Sequence, residues 1–276
     1  MEIVPSNTQM DGYSMKHVVL ALSGGMDSTC LLIHYLARGY RATCISYIYG
    51  QKHSIEVEKA KATVQLCQSN GHDIRHHIVD LSPAMKLFDS ALTSDEQEIP
   101  TGHYEEDQMK MTVVPNRNAI FASILYGFAL SKAKQSGSDV ILALGVHSGD
   151  HAIYPDCRPE FYESLHEAFK VGNWDHELVE FDLPFLHGDK ESILLDALDS
   201  TKTLGFDFDT VLQNTITSYN PDDSGRSSGT SGSDIERILA FHAIGRKDPI
   251  PYILPWENIL SNALMIEKQF KGDTRD

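Results

Sequence analysis

Positive charge is in short supply in this sequence: 23 Lys and Arg stand against 39 Asp and Glu, for a formal net charge of −16. A groove that tracks nucleic acid needs a basic stripe along the phosphates, so sequence-independent nucleic-acid binding is excluded. A small anion is not excluded, because one loop and one helix end can hold it locally. Cysteine is sparser still. Cys30, Cys44, Cys67 and Cys157 are scattered without a C-x-x-C pair, which speaks against a disulfide framework or a cysteine zinc site and suits a reducing cytoplasm. No apolar run reaches the length that spans a membrane. The opening "MEIVPSNTQMDGYSMKH" is polar, without the basic-then-apolar order of a secretory signal, and residues 1–15 read as a flexible lead-in. The expectation is a cytoplasmic protein whose partners include neither membrane nor nucleic acid.

What is present is an alternation of strand and helix over 276 residues, room enough for one large core. "HVVLAL" (17–22), "RATCISYIY", "RHHIVDL", "VILALGV" (140–146) and "LVEFDLPF" are short apolar or β-branched runs. "STCLLIHYLARG", residues 54–69 and "AIFASILYGFALSKAK" lie between them as helices, and further helices are expected near 189–204, 234–244 and 257–269. Strands separated by helices predict right-handed crossovers and a doubly wound, mostly parallel α/β sheet. Residues 82–112 read as a polar surface excursion, and no internal repeat is visible.

The first buried strand runs directly into "SGGMDS" (23–28) and then into a helix. Gly-Gly alone would read as a tight strand-to-helix turn with a capping Asp or Ser. The full S-G-G-x-D-S favours a phosphate site. Gly24 and Gly25 let backbone N–H groups approach an anion at a helix amino end. Ser23 and Ser28 are donors to phosphate oxygens, while Asp27 repels phosphate unless a divalent cation lies between them. The combination suits Mg-bound pyrophosphate. It lacks the Lys of G-x-x-x-x-G-K-[ST] and the spacing of G-x-G-x-x-G.

This motif resembles the PP-loop of ATP pyrophosphatases. With "YGQKH" (49–53), "DLS" (80–82), "SALT" (90–93), "VPNRNAIF" (114–121), "GVHSGD" (145–150) and "YPDCRPEF" (154–161), the chain resembles the 7-cyano-7-deazaguanine synthase family, QueC, over about residues 17–250. The resemblance implies ATP and Mg2+ as cofactors and 7-carboxy-7-deazaguanine as the small-molecule substrate. The carboxylate is activated as an acyl adenylate, ammonia then gives the amide, and a second ATP-driven round gives the nitrile. It places Ser23, Gly24, Gly25, Asp27, Ser28 and Gly145 at ATP, with Asp27 at Mg2+, and Lys190 near the phosphates. Asp27, Lys190 and Arg117 form the expected catalytic set, Arg117 because its fork binds two oxygens of a carboxylate or phosphate. His53, Asn118, Asp150, Tyr154, Asp156 and Arg158 form the expected substrate set: Asp156 accepts from the guanine edge and Tyr154 stacks on or bonds to the base.

Plainer readings stand beside several of these. Asn116 and Asn118 are equally candidates to cap a helix starting near Ala119. Arg158 has Glu160 and Asp156 as ion-pair partners, and Tyr154 has a packing alternative. His147 and His151 read as surface or structural histidines, and Cys157 as a buried, inert pocket thiol rather than a thioester nucleophile.

The family also carries four zinc cysteines, which align here with Ser218, Ser228, Ser231 and Asp234. Serine hydroxyls do not ionise near neutral pH and are poor zinc ligands, so zinc is expected to be absent and the tract "NPDDSGRSSGTSGS" mobile unless packed against a partner or substrate. The expected division is a PP-loop ATP-binding and substrate domain over 16–215 and a C-terminal helical lobe over 216–276. The family resemblance implies a homodimer. The functional expectation is an ATP-dependent ligase that adenylates 7-carboxy-7-deazaguanine and forms a C–N bond. The absent zinc site and an open serine loop tilt the acceptor towards a protein amine, as in a branch of the family associated with antiphage defence. The alternatives are the ordinary nitrile synthase using ammonia and a catalytically dead binding module.

Overall fold

A computed structural model of the chain describes residues 15–50, 55–88, 113–148, 155–218, 222 and 224–273, with side chains to Phe270. Its frame is a five-stranded sheet of β1 (His17–Ala21), β2 (Arg41–Ile48), β3 (Ile74–Asp80), β4 (Val140–Ala143) and β5 (Val179–Asp182), in the order β3-β2-β1-β4-β5. Every pairing is parallel, with His17 opposite Arg41 on one side of β1 and Val140 on the other. Parallel strands buried on both faces need apolar residues at successive positions, and β1 supplies them: Val18, Val19 and Leu20 are fully buried. Alternate side chains feed two cores. Val18 and Leu20 join Ala42 and Cys44 on one face, while Val19 joins Ile45, Tyr47 and Leu142 on the other.

The first face is covered by α1 (Met26–Ala37), α2 (Ile55–Ser69), α6 (Lys190–Leu204), α7 (Phe208–Leu212) and part of α8 (Gly232–Ala243). The second is covered by α4 (Arg117–Ser136) and α5 (Pro159–Gly172). A short α3 (Ser82–Met85) follows β3, and α9 (Trp256–Asp273) packs Ile259 and Ala263 on Ile235 and Ile238 of α8. Ala240 and Phe241 of α8 belong to the main core, so the carboxyl-terminal helices share apolar packing with the sheet.

The doubly wound parallel α/β class expected from the sequence is the one found. Three details differ. The fourth strand ends at Ala143 rather than Val146, because Leu144–His147 turn out along the sheet edge and line a cavity. The long helix begins at Arg117, with Asn116 at its cap in the left-handed region (φ 60°) and without a side-chain cap bond. The amphipathic α5 has no counterpart in the sequence reading, although Pro159 occupies its first turn, a favoured place for proline. The segment expected over 82–112 as an excursion lies outside the described residues from 89 onwards. Among the described residues no helix is long and apolar enough to cross a membrane.

Candidate active site

In a sheet ordered 3-2-1-4-5 the connections leaving β1 and β4 turn to opposite faces, and a crevice opens between them at the carboxyl edge. The chain places a cavity of about 250 Å³ there. One wall is the glycine loop. Gly24 has φ +88°, and a Cβ on it would come within 2.1 Å of the Glu56 carbonyl oxygen, so the turn admits glycine alone. Gly145 presses on the same loop from the other side: a Cβ there would lie 3.1 Å from the Asp27 backbone. Its role is to let the β4 exit pack against the first turn of α1. Ser28 Oγ accepts from the Ser23 N–H at 3.1 Å and lies 2.9 Å from Ser23 Oγ. Gly25 is the cap position of α1 and brings no side chain to the helix end, which leaves the first-turn N–H groups to be met by another acceptor.

Beside this loop four side chains from separate elements converge. Lys190, the first residue of α6 and 4% exposed, places Nζ 2.6 Å from Glu236 Oε2, 2.9 Å from His147 Nε2 and 3.4 Å from Asp27 Oδ2. An ammonium group only donates, so His147 accepts at Nε2 and carries its proton on Nδ1. The helix start that carries Lys190 is fixed by a capping box between Asp189 and Ser192. Asp27 Oδ1 is buried and finds no hydrogen-bond partner among the described residues. Two carboxylates, one ammonium and a neutral imidazole leave one negative charge in excess. An orphaned carboxylate oxygen in such a set fits a hard divalent cation, which takes oxygen ligands.

The far wall is aromatic and polar. Tyr47 stacks on Phe121 at 4.1 Å between ring centroids, and the Arg117 guanidinium stands 5.7 Å above Tyr49. Asn118 Nδ2 donates to the Asp156 carbonyl at 3.4 Å. Burial pushes the Asp156 carboxyl above its ordinary range, and nearby Arg117 partly opposes this. Cys157 is buried and lines the cavity with Tyr162.

The expected residues Ser23, Asp27, Ser28, Arg117, Asn118 and Gly145 thus share one cavity, with Lys190 against Asp27 and Asp156 beside Asn118. Arg158 is exposed at the cap of α5 and is not among the lining residues. His53, Asp150 and Tyr154 lie outside the described residues, as does His151. His147 is 2% exposed and bound to Lys190, which fits the structural and not the surface alternative of its reading. Glu236 was not singled out from the sequence at all.

The four positions aligned with zinc cysteines also converge, around a carboxylate. Asp234 is fully buried. Its Oδ2 accepts from Ser218 Oγ at 3.0 Å, Ser228 Oγ at 3.2 Å and the Ser231 N–H at 3.3 Å, and its Oδ1 accepts from Ser227 Oγ at 2.6 Å. Ser231 caps α8 and accepts from the Asp234 N–H. The described part of the serine tract is therefore packed, in place of the expected mobility: buried hydroxyls satisfy a buried carboxylate, and each would cost free energy alone. Removing divalent ions with EDTA is expected to leave the melting temperature within about 1 °C. Asp234→Ala is expected to cost about 3 kcal/mol, a fall on the order of 5–10 °C for a chain of this size. The reverse ranking would mean that a metal, not the carboxylate, holds the lobe.

Fold and crevice together describe a doubly wound α/β protein with an anion-suited crevice at the carboxyl edge of its parallel sheet. Residues 17–245 match the family model "Queuosine biosynthesis protein QueC". The chain belongs to that family and is an ATP-using enzyme. It is 42% identical to a 7-cyano-7-deazaguanine synthase of Caldicellulosiruptor saccharolyticus over 85% of this chain and 94% of that one. It is also 42% identical to the one of Marinobacter nauticus, over 85% and 96% respectively. Among solved structures, NMN synthetase from Francisella tularensis shares 12% identity over 93% of this chain and 86% of that one, with a TM-score of 0.40, a likeness too slight to argue from.

Proposed function

We propose that the chain is a 7-cyano-7-deazaguanine synthase, converting 7-carboxy-7-deazaguanine to its nitrile with ammonia and ATP. The observation that carries the reading is Lys190: a buried cation held by Glu236 and His147, 3.4 Å from the Asp27 carboxylate, at the mouth of a backbone anion site. In this reading the glycine loop and Lys190 bind the ATP phosphates. Asp27, whose buried Oδ1 has no hydrogen-bond partner among the described residues, would hold Mg2+. Bound Mg2+ supplies charge neutralisation of the departing pyrophosphate. The base lies towards Tyr47, Tyr49 and Phe121, with Arg117 on the substrate carboxylate and Asn118 and Asp156 at the guanine edge. His53, Asp150, Tyr154 and Arg158 complete the substrate set by resemblance.

The chemistry then runs in two rounds. The substrate carboxylate oxygen attacks the α-phosphorus and pyrophosphate leaves. Ammonia attacks the acyl carbon and AMP leaves with that oxygen, giving the amide. The amide oxygen is adenylated in turn, and AMP departs as two N–H protons are lost and the nitrile forms. Transfer to a protein amine drew its support from the absent zinc site and an open serine loop. Ser218, Ser227 and Ser231 are buried close to Asp234, and the named relatives are 7-cyano-7-deazaguanine synthases, which favours ammonia. Incubation with Mg·ATP, 7-carboxy-7-deazaguanine and ammonium, followed by mass spectrometry, tests this. The nitrile should appear with one AMP and one pyrophosphate for each round. An amide that accumulates without nitrile, or no substrate-dependent AMP, would overturn the proposal.

A further inference from the structure

Another cavity among the described residues, about 210 Å³, lies at the opposite edge of the sheet, where the strands begin. Its lining includes His17, the first residue of β1, Arg41, the first of β2, Arg75 of β3, and Lys132 and Gln135 from the last turns of α4. Asp73, ahead of β3, is the one carboxylate among the lining residues. Three cations against one carboxylate is a local excess of positive charge in a chain whose net charge is −16. The parallel register explains the convergence. His17 pairs with Arg41, and the next rungs bring Ala42 to Ile74 and Thr43 to Arg75, so the basic residues of three adjacent strands emerge at one edge.

We propose that this cavity is a second ligand site, one that binds a phosphate group through Arg41, Arg75 and Lys132. Arg41 supplies the observation beyond charge. Its Nε is buried and finds no acceptor among the described residues. A guanidinium fork left with a buried donor is matched by an oxyanion, which takes several N–H groups at once. His17 gives the same account of the field. It bonds Thr43 Oγ1 at 2.9 Å through Nε2, and its pKa is lowered to about 4, by burial first and then by Arg41, with Arg75 and Lys132 adding to the effect and Asp73 opposing it. The carboxyl end of α4 sets partial negative charge nearby, which three full charges outweigh. The site is separate from the ATP crevice, because the five residues of β1, about 16 Å of strand, lie between them. It does not depend on the reaction assigned to that crevice.

The test is an NMR titration of the full chain, followed at the His17 imidazole, with inorganic phosphate, pyrophosphate and AMP against sodium chloride at matched ionic strength. A saturable displacement of the His17 signal by at least one phosphate compound is expected, with a rise in the His17 pKa as the cations are neutralised. The tightest compound distinguishes a free oxyanion from a nucleotide phosphate. Arg75→Gln and Lys132→Gln each remove one cation and are expected to weaken binding about tenfold. Arg75 is exposed, so that variant should fold and keep its ATP-dependent turnover. Displacements that follow ionic strength alone, or affinity in both variants equal to that of the parent, would overturn the site.

Discussion

Asp27→Asn is expected to lower ATP-dependent pyrophosphate release at least about a thousandfold while moving the melting temperature by only a few degrees. The shape of the side chain is preserved, and Lys190 keeps its shortest partner, Glu236 at 2.6 Å, so the local fold has little reason to change. What is lost is charge where the proposal needs it. Asp27 Oδ1 is the buried oxygen without a hydrogen-bond partner among the described residues. An amide there offers a cation no negative charge and brings an N–H that a cation does not accept. A thousandfold loss corresponds to about 4 kcal/mol of transition-state stabilisation, the size expected when a group acts mainly on charge that develops in the reaction. Pyrophosphate release at saturating Mg·ATP, with a thermal melt of the same preparation, measures both halves. Turnover within tenfold of the parent would remove Asp27 from the metal role.

Asp27 was legible because its motif is local: six residues, a strand before and a helix after. Lys190 was legible only through family resemblance, since a lysine opening a helix has no chemistry of its own in sequence. Glu236 and His147 were not legible, because their roles come from tertiary convergence. Glu236 is separated from Asp27 by more than two hundred residues, and His147 follows a strand whose early end at Ala143 the apolar run "VILALGV" conceals. The serine tract misled for a different physical reason. Composition reports what a segment cannot bury as apolar surface. It does not report that Ser218, Ser227, Ser228 and Ser231 can close around one carboxylate. Only the aligned frame of the four positions held that information, and Ser227 lay outside the frame. The helix Pro159–Gly172 was overlooked with its signal in view: Phe161, Tyr162, Leu165 and Phe169 repeat at helical spacing and pack on the second core.

The largest stability effect is expected at the residue next to Glu236. Arg237→Leu should cost about 3–5 kcal/mol, because it leaves a buried carboxylate uncompensated. Arg237 is fully buried. Its Nε and Nη2 bond Asp248 at 2.6 and 2.9 Å, Nη1 donates to Thr215 and Thr217 at 2.8 and 2.9 Å, and Nη2 also reaches the Leu212 carbonyl at 3.3 Å. Asp248 additionally accepts from the Tyr252 hydroxyl at 2.7 Å and the Ile250 N–H at 3.2 Å. Burial lowers the guanidinium pKa, but the charge and hydrogen bonds of Asp248 more than offset it, so the net shift is upward and Arg237 stays charged. The clamp also bears on the crevice. Arg237 holds the segment at Thr215 and Thr217, and between them the Ile216 N–H donates to the Gly24 carbonyl at 3.0 Å. One turn of α8 thus carries Asp234 into the serine cluster, Glu236 to Lys190 and Arg237 to the strap behind the glycine loop. Denaturant melts of Arg237→Leu, Asp248→Leu and the double variant separate the clamp from simple loss of packing. Each single change should be more destabilising than the double, since removing both charges leaves none buried alone. Additive losses, or a single variant within about 1 kcal/mol of the parent, would show that the pair is not what fixes α8 against the loop.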